Sequence, residues 1–413
     1  MIINKPEIVE DERYVTVSSR VDIQGSTAQY PKQLWFSFPK GYAGYVTHRA
    51  DGFATALLPL AMTLGEDLEV CGPVDFRLAH GLQEYLRVQS VWKPKQFKPV
   101  RLSCPVLDER RDDVTLGGVG CAFSGGIDSF HTLWSHLLIN EPNPRYRISH
   151  ALIINGFDRD SDLDDTGSFN CIREAYEPVM KKHGVELLVS RTNILQFIDP
   201  RILKQSFGAI VTSSALVLGR LLARFYIPSS YKFTDLGLYP EGSHLMLDSL
   251  LCTETMEIIH DGAHLTRVEK TAVVAQWPDT HARLRVCFNQ TNVAEGSNVI
   301  ENCCLCEKCI RTMVTLDLFG VLGKCAAFPK PLRRREVRRC DYTYPGSRIF
   351  AREIIQHADR IGRRDIAFDF RYAVLRSLVS KGLRRVYWTT RKALLPIKGW
   401  NSRNDRSART DNP

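Results

Sequence analysis

The chain has 413 residues and a formal net charge of +9, with 44% hydrophobic and 24% charged residues, enough for two or three domains with sizeable cores. No apolar run approaches the roughly 18 residues of a membrane span, and Met1–Pro6 carries no signal-peptide core, so a cytoplasmic protein is expected. Twelve cysteines in such a chain, half of them near one short segment, suggest a metal site in a reducing compartment rather than a disulfide scaffold. The charge is lopsided: residues 330–413 hold 22 Lys/Arg against 8 Asp/Glu, leaving a negative balance in residues 1–329.

Residues 1–112 read as a separate α+β domain. Tyr14–Ser19 and Gln33–Phe38 alternate apolar and polar residues as half-buried strands do. Asp51 is placed to cap a helix through Leu64, Asp67–Cys71 forms a further strand, and Pro73 and Asp75 precede a helix ending near Gln89. Ile2 stands where an N-terminal-nucleophile glutaminase needs cysteine. Residues 93–112, rich in proline and charge, lead into the next domain.

From 113 to 329 the pattern becomes α/β, an open parallel sheet flanked by helices. Gly118–Phe123 is a buried strand, followed by Ser124-Gly125-Gly126-Ile127-Asp128-Ser129 and a helix through Leu138. Helix N-termini leave unpaired N–H groups and partial positive charge, and two glycines let backbone amides approach a phosphate. Ser124 and Ser129 add hydroxyls, and Asp128 suits a magnesium ion. The loop lacks the Lys-Ser/Thr ending of a Walker motif.

Further strands are expected at His150–Asp158, Val185–Ser190 and Arg224–Pro228, with helices at 168–183 and 207–223. The carboxyl ends of these strands bring Ser124–Ser129, Asn155–Asp158 and Ser190–Asn193 to one crevice. Asp158, Asp160, Asp162, Asp164 and Asp165 form an acidic loop beside it. Pro240–His244 and His260–His264 read as turns, and Thr266 opens a helix carrying Arg267 and Lys270. His244, His260 and His264 are weak candidates for metal ligands.

The loop resembles the Ser-Gly-Gly-x-Asp-Ser signature of the PP-loop ATP pyrophosphatases, which cleave ATP between the α- and β-phosphates and adenylate a substrate oxygen. The resemblance implies ATP held by Ser124, Gly125, Gly126, Ile127, Asp128 and Ser129, with Mg2+ on Asp128. It also implies an adenine seated on Ile154, Asn155 and Phe157, and Lys270 or Arg267 on the departing phosphates. An ordinary ion-paired helix face is the alternative for the last two residues.

Cys287, Cys303, Cys306 and Cys309 present two successive C-x2-C steps plus one upstream thiol, a spacing that suits a closed tetrahedral Zn2+ site. An iron–sulfur cluster stays open, although the Cys-Pro of the ferredoxin pattern is missing. Cys304 interrupts the knuckle and is read as spare. Together with the loop, this arrangement resembles the 7-cyano-7-deazaguanine synthases over residues 113–325, about half the chain. Those ligases adenylate a deazapurine carboxylate and admit ammonia. The added N-terminal residues, Cys304 in place of the usual knuckle glycine, and the C-terminal extension depart from that family. Sulfur insertion into tRNA and nucleotide-dependent regulation without catalysis are the other two readings.

Residues 330–413 form a basic helical extension. Arg333–Arg335 and Arg338-Arg339 are expected in a loop, helices at 348–362 and 367–395, and no fixed structure over 400–413. RNA, an anionic surface or an acidic protein are the partners such a segment fits, and a homodimer is a further expectation.

Overall fold

The computed structural model describes residues 1–25, 28–108, 116–157, 166–237, 241–287, 292–294 and 297–394, with backbone alone at 166–169, 292 and 382–394. The acidic run Asp158–Asp165 and residues 400–413 lie outside the described residues.

The protein is α/β, and its centre is a five-stranded parallel sheet in the order Glu257–Asp261, Leu222–Pro228, Gly118–Ala122, His150–Asn155, Glu186–Thr192. In chain order this is 5-4-1-2-3. The first strand is central and the order reverses on either side of it, as in doubly wound sheets. Both faces are covered, so the strands are apolar on alternate sides. Leu152 and Phe225 join the core shared with helices Asp51–Leu64 and Leu203–Val217, whereas Ala151, Ile153 and Tyr226 join the opposite core with Phe130, Tyr176 and Trp277.

Residues 1–112, expected as a separate domain, continue this sheet. Gln33–Pro39 pairs antiparallel with Glu186–Thr192 through Ser37↔Arg191 and Phe36↔Thr192. Tyr14–Asp22, Ile2–Ile3, Leu68–Val70 and Leu102–Ser103 follow outward, and Glu7–Glu10 pairs with Tyr14–Asp22. The seam is fixed by Asn193, whose Oδ1 accepts from Trp35 N at 3.0 Å while its Nδ2 donates to Gln33 O at 2.9 Å. Helix Asp51–Leu64 crosses Leu203–Val217 closely, and a Cβ at Gly52 would meet Ser213 O at 2.6 Å.

Several local expectations need correction. Asp51 is the first helical residue and not the cap; its Oδ1 accepts from Asp75 N at 2.7 Å. Asp75 is the cap of Phe76–Trp92. The helix expected at 207–223 spans Leu203–Val217, because Leu222 and Ala223 already belong to the next strand. A fifth strand, Glu257–Asp261, takes in His260, which was read as a turn residue. Arg334–Arg339 is a short helix and not a loop: Arg334 and Arg338 each reach the fully buried carboxylate of Asp369 at 2.6 Å, which neutralises part of the charge run.

The extension continues with helices Pro345–Arg360 and Arg364–Leu394. Its apolar side shares a core with Val268, Ile310 and Val314.

Replacing Asn193 with alanine leaves Trp35 N–H and Gln33 C=O at the seam without their buried partner. A loss of about 1–3 kcal/mol in urea-unfolding free energy is expected. An unchanged midpoint would show that the seam does not depend on this side chain.

Candidate active site and cysteine centre

The glycine loop sits where the strand order reverses. Strand Gly118–Ala122 runs into Phe123, whose N–H donates to Leu152 O at 2.8 Å, and the chain then turns at Ser124. Gly125 adopts φ +76°, and a Cβ there would collide with the Tyr176 hydroxyl at 1.8 Å, so only glycine serves. Ser124 Oγ accepts from Gly126 N at 3.3 Å and lies 3.4 Å from Ser129 Oγ, which donates to Gly126 O at 3.1 Å. Helix Ile127–Ser135 begins here without a side-chain cap. Its first N–H groups therefore present the partial positive charge of a helix start to the end of the sheet.

Asp128, in the first turn, is the meeting point of the site. Arg267 Nη2 pairs with Asp128 Oδ2, and Lys270 Nζ stands 3.7 Å from Oδ1, an atom with no hydrogen bond among the described residues. Lys270 is 1% exposed and donates to Ser229 O at 2.6 Å. Burial pulls its pKa below the usual lysine value, while Asp128 acts in the opposite sense. The helix bearing both cations is held by a capping box, in which Thr266 Oγ1 accepts from Glu269 N at 3.2 Å and Glu269 Oε2 accepts from Thr266 N at 2.8 Å. The expected binding and catalytic residues Asp128, Arg267 and Lys270 thus converge.

Four further participants, Phe350, Arg311, Tyr231 and Glu353, carry no motif signal in the sequence. Phe350, from the C-terminal extension, has two guanidinium groups over its ring, with Arg267 at 4.6 Å and Arg311 at 4.2 Å from its centroid. It also stacks on Tyr231 at 5.2 Å, with 7° between the planes. Glu353, one helical turn on, accepts from Arg267 N at 2.9 Å, and burial raises its pKa to about 7. Phe350, Glu353 and Ile354 follow helical spacing in the sequence, a signal hidden by the surrounding arginines.

The remaining expected residues lie nearby or serve the framework. Ile154 and Asn155 end the strand beside the loop, and Phe157 follows it. Asn155 is buried, and Ile154 and Phe157 are half-buried against the core. Asn193 holds the N-terminal seam and Ser190 is fully buried. His260 is bonded to Asp248 at 2.7 Å, and His244 Nδ1 accepts from Met246 N at 3.1 Å. Among the described residues, neither these histidines nor His264 belong to a metal-ligating group. Below the loop helix, Asp261 accepts from Thr132 at 2.6 Å and faces His136 Nε2 at 3.1 Å.

The sulfurs of Cys287, Cys303, Cys306 and Cys309 all lie within 4.8 Å of one another. Separations of 3.9, 3.8 and 3.4 Å join Cys287 to Cys306, Cys303 to Cys309 and Cys306 to Cys309. Zn–S bonds of about 2.3 Å in a tetrahedron require S···S edges of about 3.8 Å, so the four thiols could hold such an ion. The neighbouring sulfur of Cys306, then burial, drives the Cys309 thiol far above its ordinary pKa. Without a metal that thiol keeps its proton, and a thiophilic cation reverses that preference.

Asn302 ties the centre together from the protein side. Its Oδ1 accepts from Val286 N and Cys287 N at 3.0 and 3.1 Å, and its Nδ2 donates to Leu284 O and Ala327 O at 2.8 and 2.9 Å. Cys306 caps helix Glu307–Leu318, so the centre fixes the start of the helix that carries Arg311. Cys304 is outside the group and has φ +59°, the left-handed conformation that favours glycine.

Compared with known proteins, the chain matches no family model, no curated protein and no solved structure.

Metal analysis of the purified protein should find about one zinc per chain by the four-ligand rule. Cys303→Ser should release the ion and lower the melting temperature. Cys304→Gly should retain it with a stability change within about 1 kcal/mol, because relief of the left-handed backbone offsets the lost side chain. Metal lost from the Cys304 variant and kept in the Cys303 variant would assign the wrong ligands.

A pH test addresses His136. Burial alone would lower its pKa, but Asp261 and Glu141 outweigh that and raise it. A raised histidine stabilises the fold fully below its unfolded value of about 6.5, and that contribution disappears as pH climbs through the folded value. The melting-temperature gap between wild type and His136→Gln should therefore be wider at about pH 6 than at about pH 8.5. A gap independent of pH would refute the ion-pair reading.

Proposed function

We propose that the protein is an ATP-dependent, AMP- and pyrophosphate-forming ligase of the PP-loop kind, which adenylates a carboxyl or carbonyl oxygen and admits a nitrogen nucleophile. The observation that carries this reading is the uncapped helix start behind a Ser-Gly-Gly turn, at the reversal point of a parallel sheet, with two cations gathered on its first-turn aspartate. Such a start receives a polyphosphate through backbone N–H groups, and Ser124 and Ser129 line the same turn.

The orphaned Oδ1 of Asp128 suits a hard divalent cation, and bound Mg2+ would neutralise phosphate charge there. Arg267 and Lys270 would then transfer their charge from Asp128 to the developing pyrophosphate, where negative charge spreads over the phosphate oxygens. Phe350 holds the Arg267 guanidinium on one face and Glu353 holds its backbone, so the cation meets the reaction preorganised. The cysteine centre is closed by four protein ligands and therefore serves structure rather than activation of water. The resemblance to 7-cyano-7-deazaguanine synthases supports a deazapurine-type acid as substrate and ammonia as nucleophile.

The test is to incubate the protein with ATP, magnesium, ammonia and a panel of 7-deazaguanine acids, nucleosides and tRNA, and to resolve the nucleotide products. AMP and pyrophosphate are expected with one of these substrates. ADP and phosphate, or tight ATP binding with AMP formed from none of them, would overturn the proposal. Asp128→Ala and Lys270→Met should each lower turnover by at least about a hundredfold, the scale for losing a group that meets transition-state charge. Phe350→Ala should lower it less, through a loosened Arg267.

A further inference from the structure

Helix Arg364–Leu394 turns one face inward, where Ile366, Phe370, Ala373 and Ser377 are buried in the extension's core. The opposite face does not become polar. Phe368, Tyr372, Leu375 and Val379 follow one another at spacings of four, three and four residues, and they are 56, 47, 63 and 52% exposed; Leu378 beside them is 43% exposed. Residues so spaced fall on one side of an α-helix, so these side chains form a continuous apolar stripe in solvent. A run of this kind marks a contact surface, unlike scattered exposed hydrophobics.

The surroundings of the stripe are cationic. Arg338 lies 5.6 Å from the Phe368 ring and 6.0 Å from the Tyr372 ring. Arg376 donates to the carbonyls of Arg338, Arg339 and Cys340 at 3.0, 2.8 and 2.9 Å, fixed along one flank. The neighbouring carboxylates offset part of this charge, Asp369 with Arg334 and Arg338, Asp365 with Arg363, and Asp359 with Arg371, and the arginines remain in excess. Arg364 and Lys381 add further charge, and in sequence Val386 repeats the seven-residue step from Val379.

We propose that this face docks onto an anionic lipid bilayer, with the apolar stripe at the acyl boundary and the arginines among the headgroups. An apolar stripe rimmed by basic residues on a long helix is the pattern that lies in a membrane interface. No described helix is long and apolar enough to cross a membrane. A second copy of this chain would set the same cations against one another in a desolvated seam. Nucleic acid would use the cations and the two aromatic rings but gain little from Leu375, Leu378 and Val379. The inference is independent of the ligase reading.

Co-sedimentation of the full chain with vesicles tests it. Binding is expected to phosphatidylcholine vesicles containing about a third phosphatidylserine, to weaken as salt rises, and to be slight on phosphatidylcholine alone. Leu375→Glu with Val379→Glu alters two exposed positions, so it should leave the melting temperature unchanged while lowering partitioning at least about tenfold. Equal binding to both vesicle types, absence of binding, or a variant that partitions like wild type would overturn the proposal. So would a wild-type dimer that the double variant makes monomeric, or tRNA binding that the variant abolishes while vesicle binding persists.

Discussion

Lys270 is the constraint around which the parallel half of the molecule is arranged. An ammonium group with 1% exposure is tolerated only where its charge and hydrogen-bonding capacity are met. Ser229 O, at the end of one strand, and Asp128 Oδ1, in the first turn of the loop helix, meet them. The tolerance is narrow: Gly262, at φ +78°, leaves room where a Cβ would come within 3.3 Å of both Lys270 Cε and His131 Nδ1. The loop, the end of the Leu222–Pro228 strand and the helix from Arg267 are therefore positioned against one charge. Burying that charge costs stability, so its place here is better explained by a use at the site than by a gain in folding.

A second dependence runs through the cysteine centre. Its four sulfurs set where helix Glu307–Leu318 begins, and Arg311 lies on the first turn and a half of that helix. Arg311 pairs with Glu307 at 3.1 Å and, like Arg267, lies over the Phe350 ring. The ring thus couples the helix that starts at the cysteine cluster to the helix that carries Arg267 and Lys270. Phe350 belongs to the C-terminal extension, so that segment is part of the candidate site and not merely a charged appendage.

What could be read from the sequence was what is local in the chain. The Ser124–Ser129 turn is six consecutive residues, the cysteine spacing spans 23, and the Thr266–Glu269 box is complete within four. Each carries its own physical reason, whether an amide nest, a tetrahedron of thiols or a capped helix. The contacts missed are distant: Arg267 to Glu353 is 86 residues apart, Trp35 to Asn193 is 158, and Arg334 to Asp369 is 35. Pattern reading also failed where charge masked structure. His260 and Asp261 disguised a strand whose partner is a single neighbour, and a run of arginines disguised a helix of which two arginines are met by one buried aspartate.

The N-terminal residues are explained by the edge they remove. Without Gln33–Pro39, strand Glu186–Thr192 would end the parallel sheet with an open row of backbone donors and acceptors, which invites pairing with other chains. The antiparallel addition closes that edge, and the further strands carry the exposed edge away from the glycine loop. The same addition extends one core across both halves, from Phe36 and Phe53 to Leu152 and Leu188, so rigidity on that side of the sheet does not depend on the site. On the other side stand the loop helix, the cysteine centre and the extension, where Lys270 is buried and Asp128 Oδ1 has no hydrogen bond among the described residues.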